Sequence, residues 1–226
     1  MPDVDFPANG STASGYLAVP ESGSGPAVVV LQEWWGLVPE IRGLCDSLAR
    51  EGFLALAPDL YHGESTDQPD EAKQKMMAMD MEHAVQEMSG AVDFLAGHDG
   101  HRGDSVGALG FCLGGGLAVW TASVNPKVAA TVSYYYVMPH GKPDFSHIHG
   151  PVLGHFGTAD DFVPVEDARE LEREMRDAGV QVEFYFYEDA GHAFMNETDR
   201  LGTYNPEMAG MSWERTMRFL DENLAA

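Results

Sequence analysis

The sequence predicts an α/β fold, a mostly parallel sheet with helices on both faces. Three observations predict it. Apolar runs of strand length alternate along the chain with amphipathic stretches of helical period. The run 27–31 is continuously apolar, which is typical of a strand buried on both faces. The length of 226 residues suits one domain with a sizeable core, so a single domain over 1–226 is predicted.

The predicted elements follow one another as strand and helix in nearly strict alternation. The predicted strands are 27–31, 53–57, 105–111, 128–134, 151–156 and 182–187. The predicted helices are 39–50, 81–95, 114–123, 165–178 and 213–224. Such βαβ units place ligands at the carboxyl ends of the strands. Functional residues are therefore expected just after strand ends.

Composition excludes several classes of function. Lys and Arg number 13 against 36 Asp and Glu, a formal net charge of −23. Such a surface repels phosphate backbones and anionic lipid, so neither a nucleic acid nor a membrane is expected as a partner. The acidic residues are spread along the chain, as on a highly soluble surface.

The number of cysteines and the length of the apolar stretches indicate the cellular compartment. Two cysteines, Cys45 and Cys112, are too few for a disulfide framework. No apolar stretch of about 18 residues predicts a membrane span, and residues 1–13 lack the features of a signal peptide. A cytoplasmic location with reduced thiols is expected.

A nucleophile candidate follows the strand 105–111. The segment Gly110-Phe111-Cys112-Leu113-Gly114 fits the nucleophile-elbow pattern, with Cys in place of Ser. Such a turn places the nucleophile at a helix N-terminus, where free N–H groups favour thiolate and can hold an oxyanion. Cys45, by contrast, lies on the apolar stripe of its predicted helix and is expected to be a core thiol.

The base and its orienting acid follow the next strand ends. In this architecture the chain order is nucleophile, acid, histidine. Asp160 follows the strand 151–156 and His192 follows the strand 182–187. We therefore predict a triad of Cys112, His192 and Asp160. The neighbouring Asp161 is interpreted as an N-terminal cap for the helix that begins near Pro164.

No metal site and no cofactor are predicted. Four histidines lie within sixteen residues, but their spacing matches no i, i+4 pair of the zinc-protease kind. They are His140, His147, His149 and His155. Aromatic residues near strand ends are instead expected to line a substrate pocket, namely Trp35, Tyr134, Tyr135 and Phe194.

Together these residues resemble the dienelactone hydrolase (carboxymethylenebutenolidase) family, small members of the α/β-hydrolase fold without a cap domain. The resemblance covers most of the chain. It rests on five blocks in the correct order: Gln32-Glu33-Trp34-Trp35-Gly36, Ala57-Pro58-Asp59-Leu60-Tyr61, Gly110-Phe111-Cys112-Leu113-Gly114-Gly115, Asp160-Asp161-Phe162-Val163-Pro164 and Ala190-Gly191-His192-Ala193-Phe194.

The resemblance implies hydrolysis of an ester or lactone by the Cys-His-Asp triad. It implies an oxyanion hole made by the backbone N–H groups of Leu113 and Trp34. It also implies that Glu33 pairs with the resting cysteine and moves away when substrate binds. The expected partner is a small ester or lactone, acted on by a monomer or weak homo-oligomer.

The sequence departs from the family where the substrate carboxylate is bound. The resemblance implies arginines there, one of them four residues after the histidine, where this chain has Asn196. The segment 62–82 contains Lys73 and Lys75 but no arginine. A bidentate carboxylate clamp is therefore not visible, and a general carboxylesterase acting on uncharged esters is the alternative within the same fold. A redox-sensing thiol protein and a non-catalytic binding module are the alternatives from other classes.

Overall fold

The computed structural model describes residues 3–8 and 10–224. The ends of the predicted single domain, 1–2 and 225–226, and Asn9 in the segment 1–13 lie outside these described residues. One eight-stranded sheet organises the chain. In chain order its strands are β1 (Asp3–Ala8), β2 (Ser11–Ala18), β3 (Gly25–Leu31), β4 (Leu54–Pro58), β5 (His101–Phe111), β6 (Val128–Tyr134), β7 (Val152–Gly157) and β8 (Val182–Tyr187).

The strand order across the sheet is β1-β2-β4-β3-β5-β6-β7-β8. The pairings from β4 to β8 are all parallel, whereas β1 and β2 pair antiparallel with each other, and β2 pairs antiparallel with β4. The prediction of a mostly parallel sheet is confirmed. The two antiparallel strands at its edge were not predicted.

Among the described residues, six α-helices cover the two faces. They are α1 (Pro39–Arg50), α2 (Pro69–Ala78), α3 (Met81–Ala96), α4 (Leu113–Val124), α5 (Val165–Asp177) and α6 (Pro206–Leu224). Helix α2 was not predicted, and α6 begins seven residues before the predicted start at 213. No helix in the described ranges is long and apolar enough to cross a membrane.

The core lies in two layers, one on each face of the sheet. Successive residues of β3 alternate between them: Val29 belongs to the layer that contains buried residues of α3, α4 and α5, while Val28 and Val30 belong to the layer that contains buried residues of α1 and α6. This is why the run 27–31 is apolar at every position. The architecture is that of an α/β hydrolase, with no further domain inserted between the described strands.

Candidate active site

Four candidate side chains follow four parallel strands. Glu33 lies after β3, Cys112 after β5, Asp160 after β7 and His192 after β8. Because carboxyl ends of parallel strands meet at one edge of a sheet, these residues converge there from distant parts of the chain. Glu33, Cys112 and His192 line one cavity.

Cys112 lies on a sharp turn between β5 and α4. Its φ is +55°, a left-handed conformation that costs energy for a residue with a Cβ. The flanking glycines make the turn sterically possible. A Cβ on Gly110 would lie 1.9 Å from the carbonyl oxygen of Gly114, and one on Gly114 would lie 2.2 Å from that of Leu31. This is the geometry of a nucleophile elbow.

The thiol of Cys112 is held in its protonated form. Burial raises its pKa, and the nearby negative charge of Glu33 raises it further. A hydrogen bond from the backbone of Leu113, the first residue of α4, acts in the opposite direction. Leu113 is one of the two residues whose backbone N–H groups are predicted to hold an oxyanion. Trp34, the other predicted donor, lines the same cavity.

Asp160 and His192 form a buried pair. Asp160 Oδ2 lies 2.8 Å from Nδ1 of His192. Asp160 Oδ1 accepts hydrogen bonds from the backbone N–H groups of Phe162 and Val163, both at 2.8 Å. These bonds hold the carboxylate in place. Because the carboxylate binds Nδ1, Nε2 is the imidazole nitrogen that remains free to accept a proton.

The loop after Asp160 differs from the prediction at Asp161. Helix α5 begins at Val165, and its N-cap is Pro164. The interpretation of Asp161 as the helix cap is therefore wrong. The helix starts too late for its side chain to reach, and the side chain that binds backbone N–H groups in this loop is that of Asp160.

The imidazole of His192 packs near two aromatic rings. The centroids of the Tyr135 and Phe162 rings are each 4.9 Å from that of His192. Within the described chain, no hydrogen bond joins the Cys112 sulfur to His192. Proton transfer between them therefore requires a small movement, as is common in unliganded sites.

Glu33 is a buried carboxyl group beside the candidate nucleophile. Only 5% of it is exposed, and its side chain accepts one hydrogen bond, from Nδ2 of Asn196 at 3.2 Å. Burial raises its pKa to about 7, with a further contribution from Glu40. Arg200 and the Asn196 hydrogen bond oppose this rise. The charge of Glu33 therefore changes near neutral pH.

Two cavities share Glu33 and Asn196 in their walls. The cavity at Cys112 has a volume of about 50 Å³. A second cavity of about 580 Å³ lies toward α1 and α6. Binding sites for small molecules typically measure about 300–1,000 Å³. The smaller cavity thus holds the reacting groups but not a whole aromatic ester, unless its walls move.

The four predicted pocket residues divide into two groups. Trp35 lines the smaller cavity and Tyr135 the larger. Tyr134 and Phe194 are both fully buried and line neither. The side chain of Tyr134 points from β6 toward α6, where its hydroxyl lies 2.8 Å from Oγ1 of Thr216. Strand-end position alone does not fix side-chain direction, so it does not decide which of these residues face a cavity.

Phe162 and Arg200 are among the residues of the smaller cavity that sequence reasoning missed. The Arg200 guanidinium bonds the Glu40 carboxylate at 2.7 Å and lies 5.3 Å from the centre of the Trp35 ring. Phe162 belongs to the block Asp160–Pro164 that supports the family resemblance, so the sequence did carry a signal for it. Arg200 lies eight residues after His192, and no local pattern marked it.

Comparison with known proteins shows the family of this chain. The profile of the dienelactone hydrolase family matches residues 13–224. The chain belongs to the dienelactone hydrolase family. It is a hydrolase of the dienelactone hydrolase type, which confirms the resemblance seen in the sequence.

Individual relatives agree with this assignment. A carboxymethylenebutenolidase of Rhodococcus opacus is 32% identical over 225 residues, which cover 92% of this chain and 86% of that protein. "Protein usf" of Aquifex pyrophilus is 35% identical, with 98% of each chain covered. The crystal structure of a "Putative Dienelactone Hydrolase" from Klebsiella pneumoniae has a TM-score of 0.85, is 27% identical and covers 98% of each chain.

Proposed function

We propose that this protein hydrolyses ester or lactone bonds with Cys112 as nucleophile, His192 as base and Asp160 as the group that orients the base. One observation carries the proposal. A thiol on a nucleophile elbow lines the same cavity as an imidazole whose Nδ1 is fixed by a buried carboxylate. This arrangement serves acyl transfer on several unrelated folds.

The first half of the reaction acylates the sulfur. Nε2 of His192 takes the thiol proton, and the thiolate attacks the carbonyl carbon to form an S–C bond. The backbone N–H groups of Leu113 and Trp34 bind the oxyanion of the tetrahedral intermediate. The intermediate collapses, the C–O bond breaks, and the imidazolium gives its proton to the leaving alkoxide. With a lactone, that alcohol stays attached to the acyl group.

The second half returns the free enzyme. His192 takes a proton from water, and the resulting hydroxide attacks the thioester. The C–S bond breaks, and the sulfur leaves as thiolate and is reprotonated by the imidazolium. The raised pKa of Cys112 protects the resting thiol. It also argues against redox sensing, because sensor cysteines have a low pKa and are exposed.

The cavity walls favour uncharged substrates. Aromatic and aliphatic side chains predominate in the smaller cavity, including Trp34, Trp35 and Phe162. Of the side chains described as lining it, Arg200 is the only Lys or Arg, and Glu40 already neutralises it. A substrate carboxylate would also meet Glu33. We therefore favour neutral aryl and alkyl esters and lactones over anionic ones.

Activity of cysteine variants tests this proposal. We expect aryl-ester and lactone hydrolysis to disappear in Cys112→Ala and to persist in Cys45→Ala, a matched control because Cys45 is fully buried in the core. Covalent trapping of an acyl group on Cys112, observed by mass spectrometry, would add direct support. Unchanged hydrolysis by Cys112→Ala across the panel would end the assignment.

A further inference from the structure

A second cluster of reactive side chains lies outside the candidate active site. His62 follows β4, while His83 and Glu87 occupy positions i and i+4 on one face of α3. Nε2 of His62 lies 2.9 Å from Oε1 of Glu87, and Nε2 of His83 lies 3.8 Å from the same oxygen. One ligand atom from each of the three residues lies within 4.8 Å of the other two.

The carboxylate of Glu87 is unusual in its burial. Its side chain is 3% exposed, whereas those of His62 and His83 are 58% and 42% exposed. Charged groups are rarely buried without a partner, since desolvation is costly. The buried oxygen thus faces two imidazoles, and both imidazoles have an open side toward water. Water molecules could complete a coordination shell from that side.

We propose that His62, His83 and Glu87 bind a divalent transition-metal ion such as Zn²⁺ or Ni²⁺. Imidazole with carboxylate is a donor set for these ions rather than for Ca²⁺ or Mg²⁺, which prefer oxygen ligands. Ligand bonds of about 2.0–2.2 Å require donor atoms roughly 3–4 Å apart. Small rotations of the two exposed histidines provide this spacing.

The sequence does not mark this cluster by the i, i+4 pair of histidines typical of zinc proteases, because a histidine and a glutamate hold those positions. The third donor comes from a different element, 21 residues before His83. Only the fold brings His62 against α3.

Metal binding would fix the loop that carries His62. His62 has a φ of +53°, and the backbone N–H groups on either side of it, at Tyr61 and Gly63, both bond the Asp59 carboxylate. The far end of this loop reaches the active-site segment, since Thr66 N–H bonds the carbonyl of Trp35. An ion bridging His62 to α3 would therefore restrain the residues between Asp59 and Thr66.

Titration calorimetry of chelator-treated protein with Zn²⁺ and, separately, Ni²⁺ tests the proposal. A Cys112→Ala background removes the active-site thiol as a competing ligand. We expect one site per chain, bound at least tenfold more weakly in His83→Ala and in Glu87→Gln. His147→Ala is the matched control. His147 also lies 3.8 Å from a carboxylate, that of Asp144, but the two residues form a pair without a third ligand.

Hydrogen exchange supplies a second readout. We expect Zn²⁺ to slow exchange of the amides between His62 and Thr66 in the Cys112→Ala protein and to have no such effect in the His83→Ala variant of it. His83 is half-exposed on a helix, where alanine is well tolerated, so loss of folding does not confuse the result. Equal affinities in His83→Ala and the parent, or an equal loss in His147→Ala, would overturn the proposal.

Discussion

The side chain of Asn196 donates a hydrogen bond to the Glu33 carboxyl group at 3.2 Å, and the two residues lie in the walls of both cavities. Glu33 thereby occupies the boundary between the candidate nucleophile and the larger cavity. Its negative charge raises the pKa of Cys112. The ionisation of one buried carboxyl group is thus coupled to the reactivity of the thiol.

Replacement of Glu33 by glutamine should increase the reactivity of Cys112. Removing a negative charge lowers the thiol pKa, and each unit of that fall increases the thiolate fraction about tenfold while the thiol remains mostly protonated. Because the pKa of Glu33 is about 7, we expect Glu33→Gln to react faster than the wild type with iodoacetamide at pH 8.5 and at nearly the same rate at pH 6.

The alkylation measurement uses a Cys45→Ala background, so that Cys112 is the only thiol. Rates are compared over pH 6 to 9. Equal rates for the two proteins at pH 8.5 would show that the charge of Glu33 does not control this thiol.

The same substitution should change stability with a defined pH dependence. The folded pKa of Glu33, about 7, lies above its value of about 4.3 in the unfolded chain. The folded protein therefore keeps a proton that the unfolded chain releases, and stability is lost as pH rises through this window. We expect Glu33→Gln to gain stability relative to the wild type between pH 4.5 and 8, by about 3 kcal/mol at most.

Urea unfolding of both proteins at pH 4.5, 6 and 8 measures this effect. The difference between the two free energies of unfolding cancels the contributions of the many other carboxylates. A difference that stays constant over this pH range would contradict the raised pKa.

The positions of the candidate active-site residues were predictable from sequence where the signal is local. Gly110 and Gly114 mark the turn at Cys112 because backbone atoms occupy the space that a Cβ would need. Asp160 and His192 could be placed because strand ends in a parallel sheet converge. The direction of the Tyr134 side chain depends on α6, and the position of Arg200 depends on Glu40 and Trp35. These contacts are distant in sequence, so no local pattern could predict them.

The elements that were missed have weaker patterns. Strand β2 has Ser, Thr or Gly at half of its positions, and the edge strand β1 contains two Asp and a Pro, although the Asn9-Gly10 dipeptide is a hairpin signal. In α2 only Ala72 and Met76 are buried, so the apolar stripe that usually reveals a helix is too sparse.

Asp160→Asn should remove most of the activity and keep the fold. An asparagine can still accept the backbone hydrogen bonds of Phe162 and Val163 through its oxygen. Its amide group would then donate to His192 Nδ1 and leave the proton on Nε2, which could no longer accept one from the thiol. We expect kcat/KM for an aryl ester to fall roughly 10³-fold or more.

Asp161→Asn is the control for this measurement, because Asp161 is adjacent in sequence but exposed. It should retain wild-type kcat/KM, and both variants should unfold at temperatures close to that of the wild type. Full activity in Asp160→Asn would remove Asp160 from the triad.

Gly114→Ala should destabilise the protein severely. The new Cβ would lie 2.2 Å from the carbonyl oxygen of Leu31 and 2.7 Å from that of Gln32. Both contacts are with backbone, which cannot rotate away, so β3 and α4 must separate. We expect a loss of at least about 3 kcal/mol, since overpacking in a core costs about 1–3 kcal/mol even where side chains can adjust.

Gly43→Ala is the matched control. Gly43 lies on the exposed face of α1 with no atom within 4 Å of the new Cβ, so this substitution should raise stability by up to about 1 kcal/mol. Urea unfolding at pH 8 checks both values, and a Gly114→Ala protein as stable as the wild type would show that the contact between β3 and α4 is not tight.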